Sequence, residues 1–312
     1  MAREKFIDKN FQKETLHMIR QAADITDEYF AKGFVMTLRQ LHYQFVARGI
    51  TNLKGVPYPN TDQSYDRLVN AVADGRLAGL IDWAAMEDRQ RTLERIARWN
   101  SPAEIIDAVS SQYQEDLWAG QKVRPEVWIE KDALSGVVAN ICEELRVDYF
   151  ACRGYVSASA HYQSAKRFKR YLSQGQRPVV LHFGDHDPSG IDMTRENAAK
   201  FKLLTGVDIE VRRLALNMDQ IEQYNPPPNP TKLSDSRAPK YVEEFGNSSW
   251  ELDALDPEVF EQLIRDAVTP YINKAMKAKA RQGEMAGQAI LAKCSALWDG
   301  VEDFLDRTDT DE

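Results

Sequence analysis

Residues Pro178 to Phe183 form an apolar run that Gly184 ends abruptly. Asp185, Asp187, Pro188 and Gly190 follow before a helical pattern opens at Ile191. So short an apolar run, closed by glycine and then a capped helix, reads as a strand buried on both faces. Such strands belong to parallel sheets covered by helices, and their carboxyl ends are where ligands and metals are held. Asp187 can cap the next helix, with Pro188 in its first turn. That role leaves Asp185 without an assignment.

A third acid supplies one. Val127-Trp-Ile129 is a second apolar strand, and it ends in Glu130. A helix over 133–145 and a strand over 147–152 come next, then an Arg153-Gly-Tyr155 turn. A basic helix over 159–172 carries Lys166, Arg167, Lys169 and Arg170. With the strand at 178–183, a helix over 191–204 and a strand over 207–216, the pattern is β-α-β-α-β-α-β, a parallel sheet with helices on both faces. Glu130, Asp185 and Asp187 then share one sheet edge. Three uncompensated carboxylates repel one another, and a divalent cation removes that cost. Oxygen-only ligands favour Mg²⁺ or Mn²⁺, with water and phosphate oxygens completing the shell.

The amino-terminal third is helical instead. An amphipathic arm covers 11–31. A second helix over 37–48 has Leu38, Leu41, Phe45 and Val46 as its buried stripe, and Arg39 and Tyr43 share another face. A helix over 61–75, a hairpin edge at Leu77–Trp83 and the basic segment Glu87–Arg91 complete a winged helix-turn-helix pattern. Tyr43 reads equally as a half-buried packing residue. On the winged-helix reading Arg67, Arg89 and Arg91 are phosphate-contact candidates, and the Lys166–Arg170 face is a further one. After the sheet, Asn225–Pro230 is a rigid extended loop, the polar stretch around Lys232 and Arg237 runs over the surface, and one long helix spans 271–304. The expected domains are an arm (1–33), a winged-helix domain (34–120) and an α/β domain with a C-terminal extension (121–312).

Net charge is −8, but residues 1–100 hold 15 basic and 13 acidic side chains while 201–312 hold 13 and 21. The acidity is therefore concentrated in the tail and does not exclude a nucleic-acid partner. Three scattered cysteines without a CxxC pair fit a reduced compartment. Neither a membrane span nor a secretory core is found, so the expected location is cytoplasmic.

Glu130 in Trp-Ile-Glu-Lys, followed by Gly184-Asp-His-Asp-Pro-Ser-Gly190, resembles the toprim domain of topoisomerases, primases and certain nucleases. More narrowly, the second motif resembles the A subunit of type IIB topoisomerases (topoisomerase VI) and the related meiotic double-strand-break protein. Arg39-Gln-Leu-His-Tyr43 resembles that family's Arg-Asp-x-x-Tyr motif, with Gln40 in place of the acid and His42 in place of an aromatic residue. Arg153-Gly-Tyr155, Lys232-Leu-Ser-Asp-Ser-Arg237 and Glu251-Leu-Asp-Ala-Leu255 resemble three further family segments, so the likeness runs over about residues 36–255. The short chain has no ATPase module and is similar to the solitary relatives called Mini-A.

The resemblance implies an α/β toprim domain preceded by an α-rich, CAP-like winged-helix domain. It also implies a Mg²⁺-dependent, homodimeric enzyme that cuts double-stranded DNA. Tyr43 of one subunit, assisted by Arg39, would attack beside the Glu130–Asp185–Asp187 metal site of its partner and leave a 5′-phosphotyrosyl link. DNA contacts fall to Arg67, Arg89, Arg91, Lys166, Arg167, Lys232 and Arg237, and a separate ATPase B-type subunit is an optional partner. Two alternatives stand beside it: a toprim endonuclease using metal-activated water, and a non-catalytic DNA-binding protein.

Overall fold

The computed structural model describes residues 3–86 and 97–309. Along the chain run α1 (Lys13–Ala31), α2 (Leu38–Ala47), α3 (Asp62–Leu77), α4 (Pro102–Ser110), β1 (Val123–Ile129), α5 (Ser135–Leu145), β2 (Asp148–Ala151) and α6 (Ala158–Ser173). Then come β3 (Arg177–Phe183), α7 (Pro188–Thr205), β4 (Glu210–Ala215), α8 (Met218–Tyr224), β5 (Asn229–Pro230), α9 (Ala238–Phe245), β6 (Ser248–Ser249), α10 (Pro257–Val268), α11 (Lys274–Ala296) and α12 (Trp298–Asp309). No helix of the described residues is long and apolar enough to cross a membrane.

The chain divides into two compact units, one of residues 1–91 with 125–270 and the other of residues 92–124 with 271–312. This division differs from the expected boundary at 120/121. The helix α4 belongs with the C-terminal helices, because it packs on α11. The amphipathic pattern of α4 announces a buried face without saying which distant helix covers it. In the same unit, the single helix expected over 271–304 is two helices that meet at Leu297.

In the first unit the α/β alternation is as expected, a four-stranded parallel sheet in the order β2-β1-β3-β4. Both faces of β3 are covered, which is why its sequence is continuously apolar rather than alternating. Val180 joins a core with Trp128, Phe168 and Phe201, while Phe183, three residues on and so on the opposite face, meets Phe260 of α10 at 5.8 Å. The chain leaves β1 for β2 and returns to place β3 on β1's other side. The crevice at the carboxyl ends of β1 and β3 is therefore the switch point where α/β sheets bind ligands.

The helices α1, α2 and α3 pack on one another. Thr37 and Gln40 form a capping box at the start of α2. Gln40 to Phe45 are all buried, so α2 is enclosed around most of its circumference rather than along one stripe. The Leu77–Trp83 hairpin edge is not formed. Instead α3 runs to Leu77, Gly79 turns the chain at φ +73°, and the Arg76 guanidinium covers the Trp83 ring and donates to the carbonyls of Trp83 and Met86. Those contacts satisfy the segment's backbone through α3, leaving single bridges (Lys5 with Ala78, Met36 with Met86) in place of a hairpin. Arg89 and Arg91 lie outside the described residues.

Candidate functional site

Glu130 follows the last residue of β1, and Asp185 lies two residues past β3. The Glu130 amide donates to the Phe183 carbonyl (2.9 Å), and the Asp185 amide donates back to Glu130 Oε2 (2.9 Å). The two acids are thus locked at adjacent strand ends, 8% and 7% exposed. Asp187 performs the capping role read from the sequence: its Oδ1 accepts from the Gly190 amide (2.6 Å) and the Ser189 hydroxyl (2.9 Å). Gly190 is required here, since a Cβ would lie 2.2 Å from the Asp185 carbonyl oxygen.

Neighbouring segments bring in side chains of opposite sign. Trp250 and His186 exchange both backbone hydrogen bonds, which presses the 250–253 segment against the end of β3. The Leu252 amide then donates to Asp185 Oδ1 (2.7 Å). The Lys131 ammonium reaches Glu251 (2.9 Å), Asp185 (3.0 Å) and Asp253 (3.3 Å). From α2, Arg39 grips Glu251 through both carboxylate oxygens at 2.6 and 2.7 Å. Behind the strand ends, Arg213 donates to the carbonyls of Gly184 (2.8 Å) and Asp185 (2.5 Å).

Tyr43 is 2% exposed. Its hydroxyl accepts from Asn229 Nδ2 (3.1 Å), and the Arg39 guanidinium lies over its ring. Asn229 is fixed in turn, because its Oδ1 accepts from Asn60 Nδ2 (2.8 Å). His42 Nε2 meets Asn60 Oδ1 (3.0 Å) and His42 Nδ1 meets the Tyr58 hydroxyl (2.9 Å). A protonated Nε2 and an accepting Nδ1 satisfy that chain, so His42 serves as a structural link.

One cavity of about 550 Å³ joins these groups, lined by Arg39, Tyr43, Asp185, Asp187, Asn229, Lys232 and Glu251 among others. Tyr43, Asp185 and Asp187 therefore open onto the same cleft of a single chain, with Glu130 behind Asp185. A larger cavity of about 870 Å³ lies in the second unit, but its Pro102, Leu297, Trp298 and Phe304 walls carry no convergent chemistry.

The electrostatics follow from burial. Glu130 and Asp185 are both pushed well above the usual carboxylate range, first by burial; Asp185 and Asp187 add to the effect on Glu130, and Lys131 partly relieves it at Asp185. Burial opposes the charge on Lys131, but Asp185, Asp253 and Glu251 together hold it firmly protonated. Burial likewise works against Glu251, yet Lys131 and Arg39 bring it down to about 2. The Tyr43 phenol rises to about 12 through burial and the Glu251 charge, against the pull of Asn229, Arg39 and Lys131.

Among the described residues, no three acid, imidazole or thiol groups are gathered closely enough to hold a metal as they stand. Glu130 and Asp185 nevertheless fit a hard divalent ion. They are oxygen donors, paired by a backbone bond and destabilised by each other's charge. Mg²⁺ commonly takes only one or two carboxylates and completes its shell with water and phosphate oxygens.

The remaining residues singled out in the sequence scatter. Arg67 is exposed on α3, and Lys166 is exposed on α6. Arg167, also on α6, is committed to a bidentate ion pair with the buried Glu126 (2.8 Å). Arg237 pairs with Asp235 (2.7 Å) and Asp192 (3.4 Å). Lys232 alone of this group lines the cleft. Sequence reasoning missed Lys131, Asn229 and Arg213 as site residues; Lys131 had a visible signal, standing next to Glu130. Glu251 and Asp253 were noted only as part of a resembling segment. No protein-family model and no curated protein matches the chain.

Proposed function

We propose that the chain is a Mg²⁺-dependent, DNA-cleaving transesterase of the toprim type, related to the topoisomerase VI A subunit, with α1–α3 as a winged-helix-like DNA-binding segment. The observation that carries this reading is the shared cleft: Tyr43 and Arg39 from α2 line the same cavity as Asp185 and Asp187. Glu130 and Asp185 would hold the ion, which supplies positive charge to the reacting phosphate and leaving oxygen. Arg39, 44% exposed at its side chain, is placed to receive a phosphate oxygen. The Tyr43 oxygen forms a bond to phosphorus while the bond to the 3′ oxygen breaks; the phenol proton passes to water, and the 3′ oxygen takes a proton from water. The product is a 5′-phosphotyrosyl link and a free 3′-hydroxyl, with phosphodiester energy kept for resealing. Since Tyr43 shares a cleft with Asp185 and Asp187 of its own chain, this reading has one copy cut one strand, in place of the attack beside a partner's site that the resemblance implies, and a homodimer make a double-strand break.

A second reading has its own observation. A phenol that is 2% exposed and hydrogen-bonded is also what a packing residue looks like, in which case metal-activated water hydrolyses the strand. Incubation with supercoiled DNA and Mg²⁺ followed by denaturation separates the two. Transesterification leaves protein covalently joined to 5′ ends, whereas hydrolysis leaves free ends. Intact DNA under all conditions would remove both.

A further inference from the structure

Lys131 stands where a cation is already needed. Its ammonium lies within 3.3 Å of carboxylate oxygens from Asp185, Glu251 and Asp253. Asp253 is 4% exposed and its other oxygen, Oδ1, has no hydrogen-bond partner. One ammonium thus gathers three acids from two separate segments, the arrangement a second divalent ion would otherwise produce.

The charge of the whole cluster points the same way. Glu130, Asp185, Asp187, Glu251 and Asp253 supply five carboxylates. They are faced by three fixed cations: Lys131, Arg39 on Glu251, and Arg213, which feels Glu130, Asp185 and Asp187; Lys232 and Asp62, which also line the cleft, cancel each other in the count. With every group ionised, two negative charges are left over, the charge of one divalent ion. Burying an unpaired charge costs several kcal/mol, so a site is held close to neutrality by whatever cations it can bind.

We infer that Lys131 is the permanent second cation of this site, filling the place between Asp185, Glu251 and Asp253 so that the cleft takes a single exchangeable divalent ion at Glu130 and Asp185. This rests on the metal-dependent reading above and gives it a stoichiometry. Lys131 acts on the site as a positioning residue. It ties the Glu251–Asp253 segment to the strand end and keeps a second ion out.

The test is Mn²⁺ titration of the full chain without DNA, counting bound ions by equilibrium dialysis and reading their spacing by electron paramagnetic resonance. Wild type is expected to bind one ion per chain, with the six-line spectrum of an isolated Mn²⁺. Lys131→Met is expected to bind a second, with the broadened spectrum of a coupled pair. Two ions in wild type overturn the inference while leaving the metal-dependent reading standing. One ion in both proteins also overturns it, because Lys131 then excludes nothing. No binding in wild type removes the inference and the metal-dependent reading together. If Lys131→Met does not fold, Lys131→Gln, which keeps a hydrogen-bond donor and removes the charge, takes its place with the same outcomes: a second, coupled ion supports the inference and a single ion ends it.

Discussion

Replacing Tyr43 by phenylalanine removes one oxygen from the cleft, and its consequences divide cleanly between stability and activity. The lost hydroxyl accepts a single hydrogen bond, from Asn229. A neutral bond of that kind contributes about 0.5–1.5 kcal/mol. Asn229 Nδ2 also lies 3.5 Å from Glu251 Oε1, so it is not left without an acceptor. The ring keeps its contacts with His42 and Arg39. The variant should therefore fold, with a midpoint within a few degrees of wild type. Its activity should fall to background if Tyr43 is the nucleophile.

The same geometry sets the pH dependence of the wild-type reaction. With the phenol at about 12, roughly one molecule in 10⁴ carries the phenolate at pH 8, and raising it from its ordinary value near 10 costs about 2.7 kcal/mol. Single-turnover formation of the covalent adduct should therefore rise about tenfold per pH unit between pH 7 and 9 if the phenolate attacks. The assay uses end-labelled duplex with Mg²⁺, quenched in detergent and resolved on a denaturing gel. Cleavage by Tyr43→Phe within threefold of wild type, with no protein on the ends of either, would refute the transesterase reasoning and leave water as the nucleophile.

Three further outcomes follow from the same site and its surroundings. Asn229→Ala frees the Tyr43 hydroxyl from the Asn229 amide and should lower adduct formation about tenfold, as expected when one positioning contact is lost, while DNA affinity measured by anisotropy stays unchanged; equal loss of affinity would show that Asn229 binds DNA instead. Glu130 has a folded pKa above its unfolded value, so the metal-free fold loses stability as pH rises from the unfolded carboxylate range through the folded pKa. Glu130→Gln should abolish Mg²⁺-dependent cleavage yet raise the metal-free melting temperature at pH 8.5 and not at pH 5; an unchanged melting difference across that range would contradict the buried-charge argument. His182 and His186 are driven down to about 3 and about 4, first by burial and then by Arg213. Their contribution is complete above the unfolded value near 6.5 and is lost as pH falls through the window down to the folded values. The raised Glu130 and Asp185 carboxyls act in the opposite sense over the same range, so the histidine contribution is read by difference: between pH 6.5 and 4 the urea midpoint of His182→Gln should fall less than that of wild type, by about 1.4 kcal/mol per unit, and parallel curves for the two proteins would contradict it.

The sheet and its acids were legible because a strand buried on both faces must be apolar throughout, so a carboxylate at its end stands out. Glu130 and Asp185 could be placed on one sheet edge because parallel strands end on the same side, although their adjacency waited on the strand order. Arg39 and Tyr43 could be placed together because helical spacing fixes a shared face. The enclosure of α2 was not legible: its polar Gln40, His42 and Gln44 suggest a wet face, and only partners such as Tyr58, Asn60 and Asn229 make burial tolerable. The same limit hid Lys131, whose partners Glu251 and Asp253 lie 120 and 122 residues away and are delivered by the His186–Trp250 bridge. The Leu77–Trp83 segment misled for a related reason. Its apolar residues fit a strand edge, but Arg76 takes up the Trp83 carbonyl, the Phe6 and Ile7 amides take up that of Leu77, and the chain folds back on α3.

Glu251 shows how stability and chemistry are set against each other in this cleft. Its carboxylate holds Arg39 on one side and Lys131 on the other, and so fastens the tyrosine's helix to the acid-bearing end of the sheet. The same negative charge raises the Tyr43 phenol, while the two cations it occupies are the ones that lower it. Without DNA, the arrangement therefore favours an intact fold and a protonated phenol. Arg39 is the more exposed of the two cations, so a phosphate entering the cleft competes with Glu251 for it before Lys131 is disturbed. Activation of Tyr43 then depends on positive charge brought in beside the phosphate, which the excess negative charge at Glu130 and Asp185 is suited to attract. If the chain cleaves DNA as proposed, the tyrosine and the acids form a single electrostatic unit, in which the phenol stays protonated until both substrate and cation are in place.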